Sequence, residues 1–385
     1  MPRHADPHSA THAHTGPPET EAGGVLTIDL DAIVANWREL ARRAAPAACA
    51  AVVKADGYGC GITPVSAALA KAGCDTFFVA HLAEGRSVRA VSPDATIYVL
   101  NGLAPGSAPA HADAGLRPVL GSRAELAEWQ AFARGSGWQG GAALHVDTGM
   151  NRLGLSFAEA ERLSREPASE RVGLGLVMSH LACAETPDHA LNAKQMAAFR
   201  QVRALFPGIA GSLANSSGVF LDPDAHHDLV RPGVALYGAN PTPGHLNPMR
   251  PVVKLRGRIV QVRNVEAGET VGYGATWTAR QPTRIAVVSV GYADGLLRAA
   301  SCHDGKAGAD AIIAGHRCPL AGVVSMDLLA VDVSALPKGH PRRGDFATLI
   351  GDGIGVDDLA AHAGTIGYEI LVSLGSRYAR VYQGG

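Results

Sequence analysis

Eight times between residues 49 and 237 a short apolar run gives way to an amphipathic stretch, and no other property of the sequence limits the fold as much. The runs at 49–53, 76–80, 96–100, 117–120, 142–147, 173–180, 211–215 and 229–237 read as strands, preceded by a helix over 31–45. Two intervening segments open with Ser122-x-x-Glu125 and Ser156-x-x-Glu159, in which hydroxyl and carboxylate satisfy free amide donors reciprocally at a helix start. Strand and helix in strict alternation over about 210 residues predict an N-terminal (β/α)8 TIM-type barrel, with a doubly wound open sheet as the runner-up.

Past Pro251 the texture changes. Closely spaced β-like runs at 252–262, 283–290, 309–314, 319–324, 328–333 and 345–350 are separated by Gly, Pro and Asp turns, and only 356–363 reads as clearly helical. This predicts a C-terminal mainly β domain, joined through the Pro-rich stretch NPTPGHLNP at 240–248. Residues 1–24 hold four His (His4, His8, His12, His14) and four Pro with little to bury, so a disordered tail is expected, its histidines solvated rather than metal-bound. The expected organisation is a tail over 1–24, a barrel over 25–245 and a β domain over 246–385.

Composition removes several function classes. The 385 residues carry 34 Lys+Arg against 35 Asp+Glu, with 47% hydrophobic residues, which disfavours both disorder and a nucleic-acid footprint. No uncharged apolar run approaches the roughly 18 residues of a membrane span, and residues 1–6 are too polar to open a secretory signal, so a cytoplasmic location is expected. Six cysteines without any Cys-x-x-Cys argue for reduced thiols, and no metal site is expected.

In a parallel barrel, reactive groups sit where strands end at the carboxyl face. The first run ends in Lys54 and passes directly into Ala-Asp-Gly-Tyr-Gly. Only 6 of the 34 cationic side chains are lysines, so one at a strand end suggests a task guanidinium cannot do: losing its proton and attacking a carbonyl. A solvated turn lysine is the plain alternative. The fifth run places Arg152 on the loop VDTGMNRLG (146–154), and the sixth ends in Ser179-His180. The seventh gives Asn215-Ser216-Ser217-Gly218, which offers amides and hydroxyls to a phosphate, and the eighth carries Arg231-Pro232-Gly233-Val234. Singly, Ser216 could be a cap, His180 a core histidine and Arg231 a surface cation. Together on one rim they read as a pyridoxal phosphate site, with the phosphate at the loops after the seventh and eighth strands.

The motifs VVKADGYG (52–59), DTGMNRLG (147–154), SHLACAE (179–185), ANSSG (214–218), RPGVALYG (231–238), VGYGATW (271–277), GYADGL (291–296) and VSMD (324–327) resemble, in order, those of the alanine racemase family. The resemblance spans about residues 25–382 and implies a barrel plus a β domain, a homodimer with shared active sites, an amino acid substrate and pyridoxal 5′-phosphate as cofactor. It implies that Lys54 holds the cofactor and serves as one acid/base. Tyr58, Asn215, Ser216, Gly233, Val234 and, from the β domain, Tyr368 would bind the phosphate. Arg231 would face the pyridine nitrogen, with His180 beside the ring and bonded to Arg231, and Arg152 would contact cofactor and substrate carboxylate. Tyr273 would be the second base, supplied by the partner protomer with Tyr292, Met326 and Asp327.

Arg231 bears on the reaction: a guanidinium beside the ring nitrogen does not protonate it, which makes the ring a poorer electron sink than one paired with carboxylate. Related amino acid decarboxylases place a carboxylate there, and single-domain pyridoxal phosphate carrier proteins lack the β domain with Tyr273. Substrate breadth stays open between alanine and a wider set including serine. One departure stands out. Many alanine racemases have a carbamylated lysine two residues before the Asp of DTGM; here the position is His145. A neutral imidazole is expected to offer an acceptor to Arg152 without supplying negative charge, and its pKa to be pushed down.

Overall fold

The computed structural model describes residues 13–167 and 173–385, which divide into Ile33–Arg250 and a second unit joining Pro251–Gly385 to the described residues up to Ala32. In Ile33–Arg250, seven parallel strands follow one another in chain order: Ala51–Val52, Thr76–Val79, Thr96–Val99, Arg117–Leu120, Ala142–His145, Leu174–Met178 and Ala210–Ser212. Closure comes from Leu229–Val230, which pairs parallel with Ala48–Cys49 just before the first of these. On its other side Asp228 N–H donates to Gly211 O (3.0 Å) and Arg231 N–H to Ala214 O (2.9 Å), so the curled sheet becomes a barrel. Its strands are buried over most of their length, as a parallel sheet wrapped by helices requires. Helix Leu30–Ala44 is tied down by Asn36, whose side-chain amide donates to Leu236 O (3.1 Å) and accepts from Arg250 N–H (2.8 Å).

Most of the expected strands are shorter than their apolar runs, the eighth most of all. The eighth stops at Val230 because Pro232 has no N–H to donate; Val234–Tyr237 is a 3-10 helix whose leading amides, Gly233 and Ala235, turn to Ser216 Oγ (2.9 and 3.3 Å). The capping boxes also differ from each other. At Ser156 both bonds form, Glu159 N–H to Ser156 Oγ (3.3 Å) and Ser156 N–H to Glu159 Oε2 (2.9 Å). At Ser122 only the hydroxyl half forms, because the Glu125 carboxylate instead accepts from Gly121 N–H and Leu103 N–H (both 2.9 Å) and stitches neighbouring loops.

The second unit is built on Val253–Val265, which pairs antiparallel with Gly24–Asp29, Phe346–Ile350 and Thr283–Val288. At Gly257 a Cβ would meet Val288 Cγ1 at 2.4 Å and Val290 Cγ2 at 2.9 Å, so any larger residue would have to displace these packed valines. Gly24–Asp29 corrects the expected organisation: it is a strand of this sheet rather than of the barrel, flanked on its other side by parallel Ala379–Gln383. Of the expected tail, Ala13–Thr15 adds antiparallel to Ala379–Gln383, while residues 1–12 lie outside the described residues. The expected strand at 319–324 is instead His316–Pro319, and a second helix, Gly367–Ser373, follows the expected Val356–Ala363 and carries Tyr368. No helix among the described residues is long and apolar enough to cross a membrane.

Candidate active site

Lys54 follows Val53, where the backbone leaves the extended region (φ −118°, ψ 19°). The next five residues run left-handed: Ala55, Asp56, Gly57, Tyr58 and Gly59 have φ of 53°, 53°, 61°, 52° and 76°. For an L-residue this costs about 1–2 kcal/mol each, so something must hold Ala55, Asp56 and Tyr58 in place. Local bonds contribute, among them Ile62 N–H to Asp56 Oδ1 (2.8 Å) and Gly59 N–H to Ala55 O (2.9 Å). Tyr58 is buried, stacks on Tyr237 with ring centroids 4.6 Å apart, and presses against Gly233, where a Cβ would lie 2.3 Å from its hydroxyl. Tyr237 in turn donates to Val52 O (3.1 Å), locking the strand that leads to Lys54.

Around Lys54 the other strand ends bring cations. Arg231 is 3% exposed; it donates to Ser212 Oγ (2.5 Å), Ser179 O (2.6 Å) and Leu213 O (3.4 Å), and its Nη2 lies 3.3 Å from His180 Nδ1. No carboxylate among the described residues pairs with it. Burial draws its guanidinium down to about 9, and with hydroxyl and carbonyl acceptors on it the group keeps its charge at neutral pH. Burial and then the charges of Arg231, Arg152 and Lys54 hold His180 well below the usual histidine range, so it is neutral. His145 is drawn to about 4 by burial, then by Arg231 and Arg152. Lys54 is lowered by burial and Arg152, against an opposing pull from Glu84. Among the described residues neither the Lys54 amine nor the Arg152 guanidinium makes a hydrogen bond or ion pair. The expected bond from Arg152 to His145 is therefore absent; the two interact through charge alone.

This cluster fits an anionic aldehyde. Its free donors are the Lys54 amine, Arg152 and the Ser217 hydroxyl, which is 2% exposed and without a partner, and glycine at 233 leaves the room that the Tyr58 hydroxyl occupies, since a Cβ there would lie 2.3 Å from it. Asn215 caps the neighbouring turn by accepting from Gly218 N–H (2.9 Å), and Val234 opens the 3-10 helix beside Ser216.

Three supporting residues escaped the sequence reading. Asp147 Oδ1 accepts from the amides of Gly149, Met150 and Asn151 (3.0, 2.9 and 3.2 Å) and so shapes the loop that presents Arg152; an Asp before Thr-Gly was the available signal. Gln195, fully buried, donates to His180 O (2.8 Å) and Thr148 Oγ1 (3.2 Å) and accepts from Ala182 N–H (2.8 Å). Glu84 accepts from Ala55 N–H at 2.7 Å. Nothing in their spacing marks these two, because their partners are set by tertiary structure.

The remaining expected residues belong to the other unit. Tyr273, 71% exposed, opens a 3-10 turn after Gly272, a position held left-handed (φ 83°) and close against Val323 N (3.3 Å from a Cβ there). Tyr292, Met326 and Asp327 are brought together: Tyr292 N–H donates to Ser325 O (3.0 Å), Ala293 N–H to Met326 O (2.9 Å), and Arg377 bridges Asp294 (3.1 Å) and Asp327 (2.8 Å). Tyr368 is half-buried on Gly367–Ser373.

A parallel barrel with a lysine at its first strand end, a buried arginine without a carboxylate and free donors for an anion defines the class of barrel-type pyridoxal phosphate enzymes. Sequence profiles narrow the class: the alanine racemase N-terminal domain matches residues 28–241 and the alanine racemase C-terminal domain residues 252–382, so the chain belongs to the alanine racemase family. It is 56% identical to an alanine racemase of Methylobacterium sp. (strain 4-46) over 94% of this chain and 98% of that one. A catabolic alanine racemase of Mesorhizobium japonicum is 50% identical over 98% of both. The crystal structure of alanine racemase from Bartonella henselae with covalently bound pyridoxal phosphate superimposes with a TM-score of 0.88 at 41% identity, over 94% of this chain and all of that one.

Proposed function

We propose that this chain interconverts L- and D-alanine by a two-base mechanism, with Lys54 and Tyr273 on opposite faces of the substrate. Bound pyridoxal phosphate supplies the electron sink that acidifies the α-proton of the amino acid. Lys54 would hold the cofactor; Tyr58, Asn215, Ser216, Gly233, Val234 and Tyr368 would bind its phosphate, and Arg231, steadied by His180, would bond its ring without protonating it. Arg152 takes the substrate carboxylate. Lys54, whose proton affinity is lowered by its surroundings, moves one proton at Cα, and the Tyr273 hydroxyl moves the other. The observation that carries the reading is Arg231, buried and charged without a carboxylate, which disfavours decarboxylase-type chemistry.

Tyr273 is read as reaching the site of a partner protomer, together with Tyr292, Met326 and Asp327, in a homodimer. Its support is that Tyr273, Tyr292 and Met326 stand exposed on their own unit at 71, 42 and 54%. Six free cysteines support a reducing, cytoplasmic setting, where the product would supply D-alanine to peptidoglycan. A broader substrate range is favoured by the unbonded Arg152, which is less firmly placed against the substrate carboxylate. The test is direct: purified protein loaded with pyridoxal 5′-phosphate should convert L-alanine to D-alanine without releasing carbon dioxide. Carbon dioxide release, or bound cofactor without turnover, overturns the reading; comparison with L-serine sets the breadth.

A further inference from the structure

We propose that Glu84 is the positioning residue for Lys54, holding the strand-end turn from which the amine projects. The inference rests on the reading of Lys54 as the cofactor-bearing lysine. Glu84 lies in the first turn of helix Leu82–Val91, after the second barrel strand, and belongs to none of the motifs that carry the family resemblance. Its carboxylate spans three amides of two strand ends. Oε1 accepts from Ala55 N–H (2.7 Å), the residue directly after Lys54, while Oε2 accepts from Ala80 N–H (2.7 Å) and His81 N–H (3.1 Å).

The bond to Ala55 falls at the first left-handed residue of the turn. Several amide bonds there are local, among them Gly57 to Val53 (2.9 Å), Gly59 to Ala55 (2.9 Å) and Gly61 to Asp56 (2.8 Å). They fix the turn's shape. Its place on the barrel rim is held at the far end by Tyr58 stacked on Tyr237 and, directly after Lys54, by Glu84, which ties the end of the first strand to the end of the second with an acceptor on each oxygen. An amide in its place has one accepting oxygen, and an aspartate is one methylene shorter.

The same carboxylate acts on the amine through its charge, without an ion pair between them. Lys54 is surrounded by Arg152 from the loop after the fifth strand, His180 from the end of the sixth and Glu84 from the second βα unit; Arg152 opposes the ammonium form and Glu84 favours it. Glu84 thus places the amine and, in addition, keeps its proton affinity from falling further.

Cofactor capture separates these roles. The full chain is stripped of cofactor, and its rate of capturing pyridoxal 5′-phosphate is followed by absorbance across pH, giving a plateau for the neutral amine and a midpoint for its deprotonation. Glu84→Gln should lower the plateau by about tenfold and move the midpoint to lower pH by about one unit. Glu84→Asp, which keeps the charge but not the reach, should lower the plateau with a midpoint near that of wild type. Plateaus within about twofold of wild type, or a lowered plateau in Glu84→Gln with an unmoved midpoint, overturn the proposal. If Glu84→Gln does not fold, Glu84→Asp decides alone, a wild-type plateau overturning the proposal and a lowered one supporting it. Borohydride reduction and peptide mapping of the wild-type holoenzyme test the underlying reading separately: label away from Lys54 sinks that reading, whereas label on Lys54 with unaffected Glu84 variants sinks only this one.

Discussion

His145 lies buried at the end of the fifth barrel strand with no hydrogen bond on its ring among the described residues, and burial with the charges of Arg231 and Arg152 draws its pKa to about 4, which leaves it neutral at neutral pH. The sign of its contribution follows. The unfolded chain binds a proton at this histidine near pH 6.5 and the folded chain only near 4, so stability is lost as pH falls through that window. The full shift is worth about 3 kcal/mol. His145→Asn cannot titrate, and thermal melts between pH 7 and 4 should decline less steeply than those of wild type; parallel curves count against the assignment. An imidazole also forms no stable carbamate, so racemase activity should be indifferent to removal of bicarbonate. Lys54 supports a second prediction at this scale. Lys54→Ala and Lys54→Arg should both purify without absorbance from lysine-bound cofactor, because guanidinium is too weakly acidic to be the nucleophile. Wild-type-like activity in either variant would remove Lys54 from its assigned role.

Among the elements, helix Ala190–Leu205 does more than cover the barrel, since Gln195 joins the loops at 148, 180 and 182. Gln195→Leu leaves the Ala182 amide and the His180 carbonyl without partners and should lower the free energy of unfolding by about 2–4 kcal/mol; urea denaturation with an unchanged midpoint would show that the loops hold without it. The barrel strands were legible because each is apolar, short and followed by a helical pattern, and the strand ends could therefore be searched for Lys54, His180 and Arg231. Their limits were not legible, since Val234–Tyr237 is as apolar as a strand and only Pro232 and the pull of Ser216 on the following amides turn it into a 3-10 helix. Gly24–Asp29 reads the same whichever sheet it joins. Its partners lie at residues 253–257 and 379–383, and no local pattern reports pairing at such distance. Glu84 and Gln195 were hidden for the same reason.

At the scale of the whole molecule, the shared-site reading makes a mixing prediction. Lys54→Ala and Tyr273→Phe protomers, each inactive alone, should regain activity after subunit exchange, because a heterodimer carries one site with both bases. A mixture that exchanges fully and stays inactive would place both residues in one chain's site. The connectivity of Gly24–Asp29 has a consequence for how the protein is made. The barrel, residues 33–250, is an insertion within the β unit, and its strands leave the ribosome in the order in which they pair. Gly24–Asp29 emerges before all of them, yet one neighbour is synthesised more than two hundred residues later and the other, Ala379–Gln383, comes last of all. The barrel can therefore assemble during translation, while Gly24–Asp29 waits with an edge unpaired until Ala379–Gln383 has emerged, the non-local arrangement that folds slowly and exposes an edge to aggregation. Birth order thus sets folding order, and a nascent chain that stalls before residue 379 would carry a finished barrel and a β unit still open at its edge.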